Sequence, residues 1–272
     1  MNAQADKPPG NGVQPEERIY DSEGKVTREV RRRDGQVVEE IAYAGDGQVA
    51  HRTRYRDGEV CEVHTYDSGG WVLQRAQFKN GKLNGKTVLY DEKGRATGVS
   101  TFKDDRLEGE SLVYDESGWV VQRATYKNGK LDGELVIFID GQMRTRLNYR
   151  EGQQEGDATV YDQEGRVAQT SQHRNGQQEG ETIQYYPTGQ VREVAVYRKN
   201  RLSGEMVRYY ENGNVRERLY YKDGRLVGDP IQYDEKGKAQ RSEANLQKQI
   251  ARMNKWTVTA QKMMTSLGKL FK

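Results

Sequence analysis

Tyr114–Ile137 reads YDESGWVVQRATYKNGKLDGELVI, and this stretch decides the fold. An aromatic opens it, Gly118 follows four residues later, a second aromatic stands at Tyr126, and Asn128-Gly129 precedes a last glycine, Gly133. The opening aromatic recurs at Tyr20, Tyr43, Tyr66, Tyr90, Tyr114, Phe138, Tyr161, Tyr185, Tyr209 and Tyr233, in steps of 23 or 24 residues. Ten copies of one unit therefore fill residues 20 to about 240. A fixed period of this kind marks a repeat array, whose units bury their apolar faces on neighbours and present a surface instead of enclosing a pocket.

The punctuation inside the unit predicts hairpins. Asn80-Gly81, Asn128-Gly129 and Asp223-Gly224 are pairs that tolerate positive φ at both central positions of a type I′ turn. A later glycine column runs through Gly85, Gly109, Gly133, Gly156, Gly180, Gly204 and Gly228, with Glu39 and Glu62 in its place in the first two copies. Between turns, residues alternate with period two. Counted by that period, the opening aromatics, the valines six residues after them and the second aromatics twelve residues after them (Tyr55, Phe78, Phe102, Tyr126, Tyr197, Tyr221) share one buried face. Two strands per unit give an all-β, elongated antiparallel meander of about twenty strands.

Composition fits a thin sheet. Hydrophobic residues make up 33% and charged residues 31%, and mean hydropathy is −1.04, too polar for a deep multilayer core. The single Cys61 rules out an internal disulfide framework and suits a reducing compartment. Residues 1–18 are polar and rich in Pro and Gly, and read as a disordered leader with no signal peptide. With no apolar run of membrane-spanning length, a cytoplasmic location is the expectation.

Residues 19–240 form the array, and residues 241–272 carry a different period. Leu246, Ile250, Met253, Ala260, Met264, Leu267 and Phe271 make the stripe of an amphipathic helix, widened by Trp256, Met263 and Leu270. From Ser242 onward, six cations stand against Glu243, a net of +5, and the rest of the chain sums to −2. This helix can cap the last strand, dock on a partner, or lie on an anionic membrane. A near-neutral array is not the profile of a protein that binds nucleic acid directly.

No chemistry stands out. His51, His64 and His173 fall in different repeats without ligand spacing, and the glycines belong to turns instead of a phosphate loop. No catalytic residue, metal ligand or cofactor site is expected, and the chain reads as a binding protein and not an enzyme. The partner-binding candidates are exposed aromatics and basic residues outside the tyrosine column. They are Trp71 with Arg75, Trp119 with Gln122 and Arg123, and Trp256, Met263 and Met264 in the tail. Packing across strands is the structural alternative for the first two tryptophans.

The units YKNGKLDGE (Tyr126–Glu134), FKNGKLNGK (Phe78–Lys86) and YYENGNVRERLYYKDGRLVGD (Tyr209–Asp229) resemble the MORN-repeat variant of bacterial proteins in the YwqK antitoxin family. A competing resemblance, to the YD repeat of Rhs-type toxin shells, rests on YDEKGR (Tyr90–Arg95) and YDQEGR (Tyr161–Arg166) and lacks the second half of the unit. The first resemblance implies an antitoxin or immunity protein whose partner is a cytoplasm-acting toxin such as a nuclease, deaminase or nucleotide-consuming enzyme. The alternative function is a repeat scaffold held to a membrane surface or larger assembly by its basic C-terminal helix.

Overall fold

The computed structural model describes residues 17–239 and Ala251. The leader and nearly all of the basic C-terminal segment therefore lie outside the described residues. Within 17–239 every regular element is a β-strand. Two compact units divide the chain, one through Gln153 and one from Gln154.

In the first unit the strands are β1 (Glu17–Tyr20), β2 (Val26–Arg33), β3 (Gln36–Tyr43), β4 (Val49–Arg56), β5 (Glu59–Tyr66), β6 (Val72–Lys79), β7 (Lys82–Tyr90), β8 (Ala96–Lys103), β9 (Arg106–Tyr114), β10 (Val120–Lys127), β11 (Lys130–Ile139) and β12 (Gln142–Arg150). The second unit holds β13 (Gln153–Tyr161), β14 (Val167–Arg174), β15 (Gln177–Tyr185), β16 (Val191–Arg198), β17 (Arg201–Tyr209), β18 (Val215–Lys222), β19 (Arg225–Leu226) and β20 (Ile231–Gln232). Within each unit, pairing is antiparallel and follows chain order; at the end β20 joins β19 beside β18. The predicted twenty-strand meander is thus observed.

Two kinds of turn alternate. At one edge an aspartate closes the loop: Asp115 Oδ1 accepts the N–H groups of Ser117 and Trp119 at 2.9 Å, and Asp115 N–H donates to the Trp119 carbonyl. At the other edge sit the predicted two-residue turns, with Asn80 at φ 52° and Gly81 at φ 72°. Asp104-Asp105 and Lys199-Asn200 form this turn without glycine, all four residues at positive φ. Their second residues contribute a bond that glycine cannot. Asp105 Oδ1 accepts the Leu83 N–H at 2.8 Å while Asp105 N–H donates to the Leu83 carbonyl, and Asn200 pairs with Gln178 in the same way.

These bonds tie each repeat to the one before it. Asn128 N–H donates to the Glu108 carboxylate and Gly129 N–H to the Leu107 carbonyl, both at 2.8 Å. In the second unit, Lys199 N–H donates to Glu179 and Gly224 N–H to the Leu202 carbonyl. The segment that ends in the last glycine column (Leu107-Glu108-Gly109, Gln178-Glu179-Gly180, Leu202-Ser203-Gly204) is therefore the acceptor that stacks the next turn, the nearest-neighbour coupling on which an array depends.

Period-two counting fails at one point, and the reason is a bulge. Tyr114 pairs with Val120 and Val113 with Gln122, so Val121 has no partner and every later residue of β10 changes face. The opening aromatics and the second aromatics consequently lie on opposite faces, not on one. Tyr197 and Tyr221 pack with Ala195, Met206 and Leu219, whereas the Tyr66 ring lies 6.4 Å from His64 and the Tyr90 ring 5.8 Å from the Arg75 guanidinium. Both faces also carry buried residues: Ala124 and Val136, on opposite faces, are each 0% exposed. Most opening aromatics are half-buried, and the tightest row on the second-aromatic face is small: Ala76, Thr87, Ser100, Ser111 and Ala124 stand directly opposite one another in turn.

A second bulge explains the last glycine column. Ala124 pairs with Leu135 but Tyr126 with Leu131, which leaves Gly133 at φ +129°, where an added Cβ would stand 3.0 Å from Thr125 Cβ. Gly133 lies directly across from Tyr149, whose strand neighbour it accommodates. Between β2 and β3 and between β4 and β5 the register shifts by one residue fewer, and that shorter bulge accounts for the first two 23-residue steps and for Glu39 and Glu62 in place of glycine. The 23-residue step after Phe138 is instead shortened by the two-residue Asp140-Gly141 turn.

Candidate partner-binding surface

A residue one position before each opening aromatic faces the side carrying the second aromatics, next to the aspartate-turn edge. In the first unit this row runs Gln74, Leu89, Gly98, Val113, Gln122, Ile137, each directly opposite the next. Leu89 is 48% exposed and Val113 38%. Leu73 and Ile139 are exposed near the same edge, and Gly98 leaves no side chain between Leu89 and Val113, while Gln74 and Gln122 flank that pair in the row.

The two tryptophans stand at that edge. Trp71 and Trp119 are the last residues of aspartate turns, their backbones held by Asp67 and Asp115, with side chains 42% and 64% exposed. The Trp119 ring lies beside Gly141 in the turn of the next repeat, where an added Cβ would meet it at 3.9 Å. Gln122 lies between Val113 and Ile137, on the apolar row. Arg123, its neighbour, points to the opposite face, 3.8 Å from Glu134, and Arg75 shares that opposite face with Tyr90. The predicted cluster is therefore split: Trp71, Trp119 and Gln122 adjoin one surface, and Arg75 and Arg123 lie on the other. Trp256, Met263 and Met264 lie outside the described residues.

Leu89, Gly98, Val113 and Ile137 were not singled out from sequence. The signal was a partial column contrast: these repeats place Leu, Val and Ile before the opening aromatic, as do the first and seventh with Ile19 and Val160, whereas Thr65, Gln184, Arg208 and Gln232 fill the position elsewhere and Ala42 is small. In the second unit the equivalent row starts at Val160 and continues Gln169, Gln184, Glu193, Arg208, Glu217, Gln232. Arg208 donates to Glu193 and Glu217, each at 2.8 Å, and the Glu193 hydrogen bond leads in raising its pKa above the ordinary arginine value.

The opposite face of the first unit carries an ionic network of its own. Arg31 and Glu39 approach to 2.8 Å, Arg54 and Glu62 to 3.1 Å, and buried His64 hydrogen-bonds Glu62. Burial lowers the His64 pKa, and the Glu62 carboxylate opposes that shift without overcoming it. Arg31 Nε and His64 Nδ1 are nonetheless buried without a hydrogen-bond partner. Among the described residues no group of His, Cys, Asp or Glu is arranged to hold a metal ion.

Residues 107–128, 178–199 and 202–223 match the MORN repeat variant family. No curated protein matches the chain. Among solved structures the chain is similar to part of a GtfA/B complex bound to UDP and GlcNAc, with 18% identity, a TM-score of 0.19, and coverage of 40% of this chain and 22% of that one. It is also similar to part of the Photorhabdus luminescens Tc holotoxin pore, with 15% identity, a TM-score of 0.23, and coverage of 79% and 14%. A porin-like protein from Bacteroides uniformis gives 11% identity, a TM-score of 0.18, and coverage of 75% and 92%. The chain spans less than a quarter of the length of the first two. These three segments therefore carry the MORN repeat variant.

Proposed function

We propose that this chain is a non-catalytic antitoxin or immunity protein of the cytoplasm, which neutralises a toxin by covering its active or substrate-binding site. The observation that carries this reading is the row holding exposed Leu89 and Val113 beside exposed Trp71 and Trp119. A protein interface needs such a core with polar surroundings and needs no cofactor. The resemblance of the Tyr126–Glu134 unit to the YwqK antitoxin family supplies the class of partner: a nuclease, deaminase or nucleotide-consuming enzyme.

Co-expression tests it. The full chain, produced with a toxic enzyme encoded beside its gene, restores growth and copurifies with that enzyme as a stable complex. Continued toxicity with no complex at matched expression overturns the reading. The scaffold alternative draws on the basic composition of residues 242–272, and it predicts co-sedimentation with anionic vesicles that is lost when those residues are removed.

A further inference from the structure

We propose that the apolar row of the first unit is the docking surface for a lysine- or arginine-rich amphipathic helix of the partner protein. This rests on the protein-binding reading above and specifies the partner's chemistry.

Spacing is the first argument. Leu89, Val113 and Ile137 lie on β7, β9 and β11, so successive members are two strands, or ~9.6 Å, apart. An α-helix returns the same face every seven residues, a rise of ~10.5 Å. A helix laid across the strands thus brings one apolar residue to each member of the row. The strands beneath are paired on both sides, which leaves no free backbone edge for an added strand, and side chains alone must make the contact.

Gly98 is the second argument. Its equivalents in neighbouring repeats are Gln74 and Gln122, yet here no side chain separates Leu89 from Val113. The fold does not ask for this glycine: its φ is not in the left-handed region, and an added Cβ would meet only Leu112 O at 3.6 Å and Leu89 Cδ1 at 3.8 Å. The notch it leaves can receive a side chain from outside.

Charge chooses the sign of the occupant. Along the aspartate-turn edge, Glu92, Glu116 and Asp140 are exposed and hold no ion pair among the described residues. Arg95 is committed to Asp91 at 2.6 Å, which leaves Lys93 as the one cation of these turns without an ion pair. An apolar row rimmed by carboxylates favours a cationic amphipathic helix and disfavours nucleic acid or an anionic bilayer.

The full chain is titrated with a fluorescein-labelled 21-residue synthetic helix carrying leucine at its heptad core positions and lysine elsewhere, and with a counterpart carrying glutamate in place of lysine. The lysine helix binds at least tenfold more tightly than the glutamate helix. Gly98→Gln and Val113→Gln each weaken it at least tenfold, with unchanged circular dichroism and melting, while Arg123→Gln on the opposite face leaves it unchanged; Leu89→Gln substitutes for either variant that fails to fold. Absence of binding, equal affinity for the two helices, or full affinity in the row variants overturns the proposal. Growth rescue that survives together with full peptide affinity in Val113→Gln sinks only the docking surface. Failed rescue beside row-dependent peptide binding sinks only the antitoxin reading.

Discussion

The same structural row reads Gln74, Leu89, Gly98, Val113, Gln122, Ile137 in the first unit and, after Val160, Gln169, Gln184, Glu193, Arg208, Glu217, Gln232 in the second. From β6 to β11 and from β14 to β18 the pairing pattern is the same, with the same two-residue shift before the last glycine column. What differs is whether the side chains finish their interactions within the sheet. Glu193 and Glu217 keep only 16% and 14% of their side chains exposed around Arg208, whereas Leu89 and Val113 find no cover. In a repeat protein the scaffold rows are held by stacking, and a row that stacking does not need is free to specialise.

The row just inside it does not differ in this way, and it should break first. Ala124 is 0% exposed in the first unit and Ala195 1% in the second, each opposite residues of both neighbouring strands. Ala124→Glu and Ala195→Glu force an unpaired carboxylate into that row at a cost of about 3–5 kcal/mol. Urea unfolding followed by circular dichroism would read it. A loss under about 1 kcal/mol at either site would mean that the small-residue row is not a shared core.

Arg208→Leu copies the first unit's chemistry into the second. It strands two half-desolvated carboxylates, and because Arg208 is itself 42% exposed, water recovers part of the loss, which leaves about 1–2 kcal/mol. The reciprocal swap, Val113→Gln, removes no satisfied contact. Equal destabilisation by the two swaps would dissolve the contrast between the units.

Acid should act on both units through one imidazole each, buried His64 in the first and half-buried His173 in the second. Burial lowers the pKa of His64, against the pull of Glu62, and lowers that of His173. A folded-state value below the ~6.5 of a free histidine means that the unfolded chain binds the proton first. The neutral imidazole's contribution is therefore whole above about pH 6.5 and is lost as pH falls through the lowered folded value. His64→Gln should flatten the decline in melting temperature between pH 7 and pH 5, and His64→Gln/His173→Gln should flatten it further. A steeper decline in either variant contradicts the sign.

The repeat, the strand count and the two-residue turns were legible in the sequence because glycine and aromatic columns recur through units such as Tyr114–Ile137. The facing of those columns was not. Val121 looks like an ordinary strand residue, and only pairing reveals it as the extra residue that sends Tyr126 to the face opposite Tyr114. Ordinary alternation, and not the bulge, separates Gln122 from Arg123, adjacent letters assigned to one patch. Trp71 and Trp119 were legible as outliers from the tyrosine column, while Leu89 and Val113 looked like ordinary strand apolars until the register placed them on an uncovered row.

The smallest effect tests the contrast from the side of stability. Leu89→Gln gives the first unit the residue that Gln184 supplies in the second. Leu89 is 48% exposed, so the apolar area it covers is limited, and a glutamine at an exposed strand position keeps its amide in water. The change should fall within ±0.5 kcal/mol, the range of surface substitutions that break no buried contact. If unfolding shows a loss near the 2 kcal/mol of a buried leucine, the row is part of the core and the surface is not free for a partner. If stability holds, Leu89 is retained for a contact that the folded chain does not itself make.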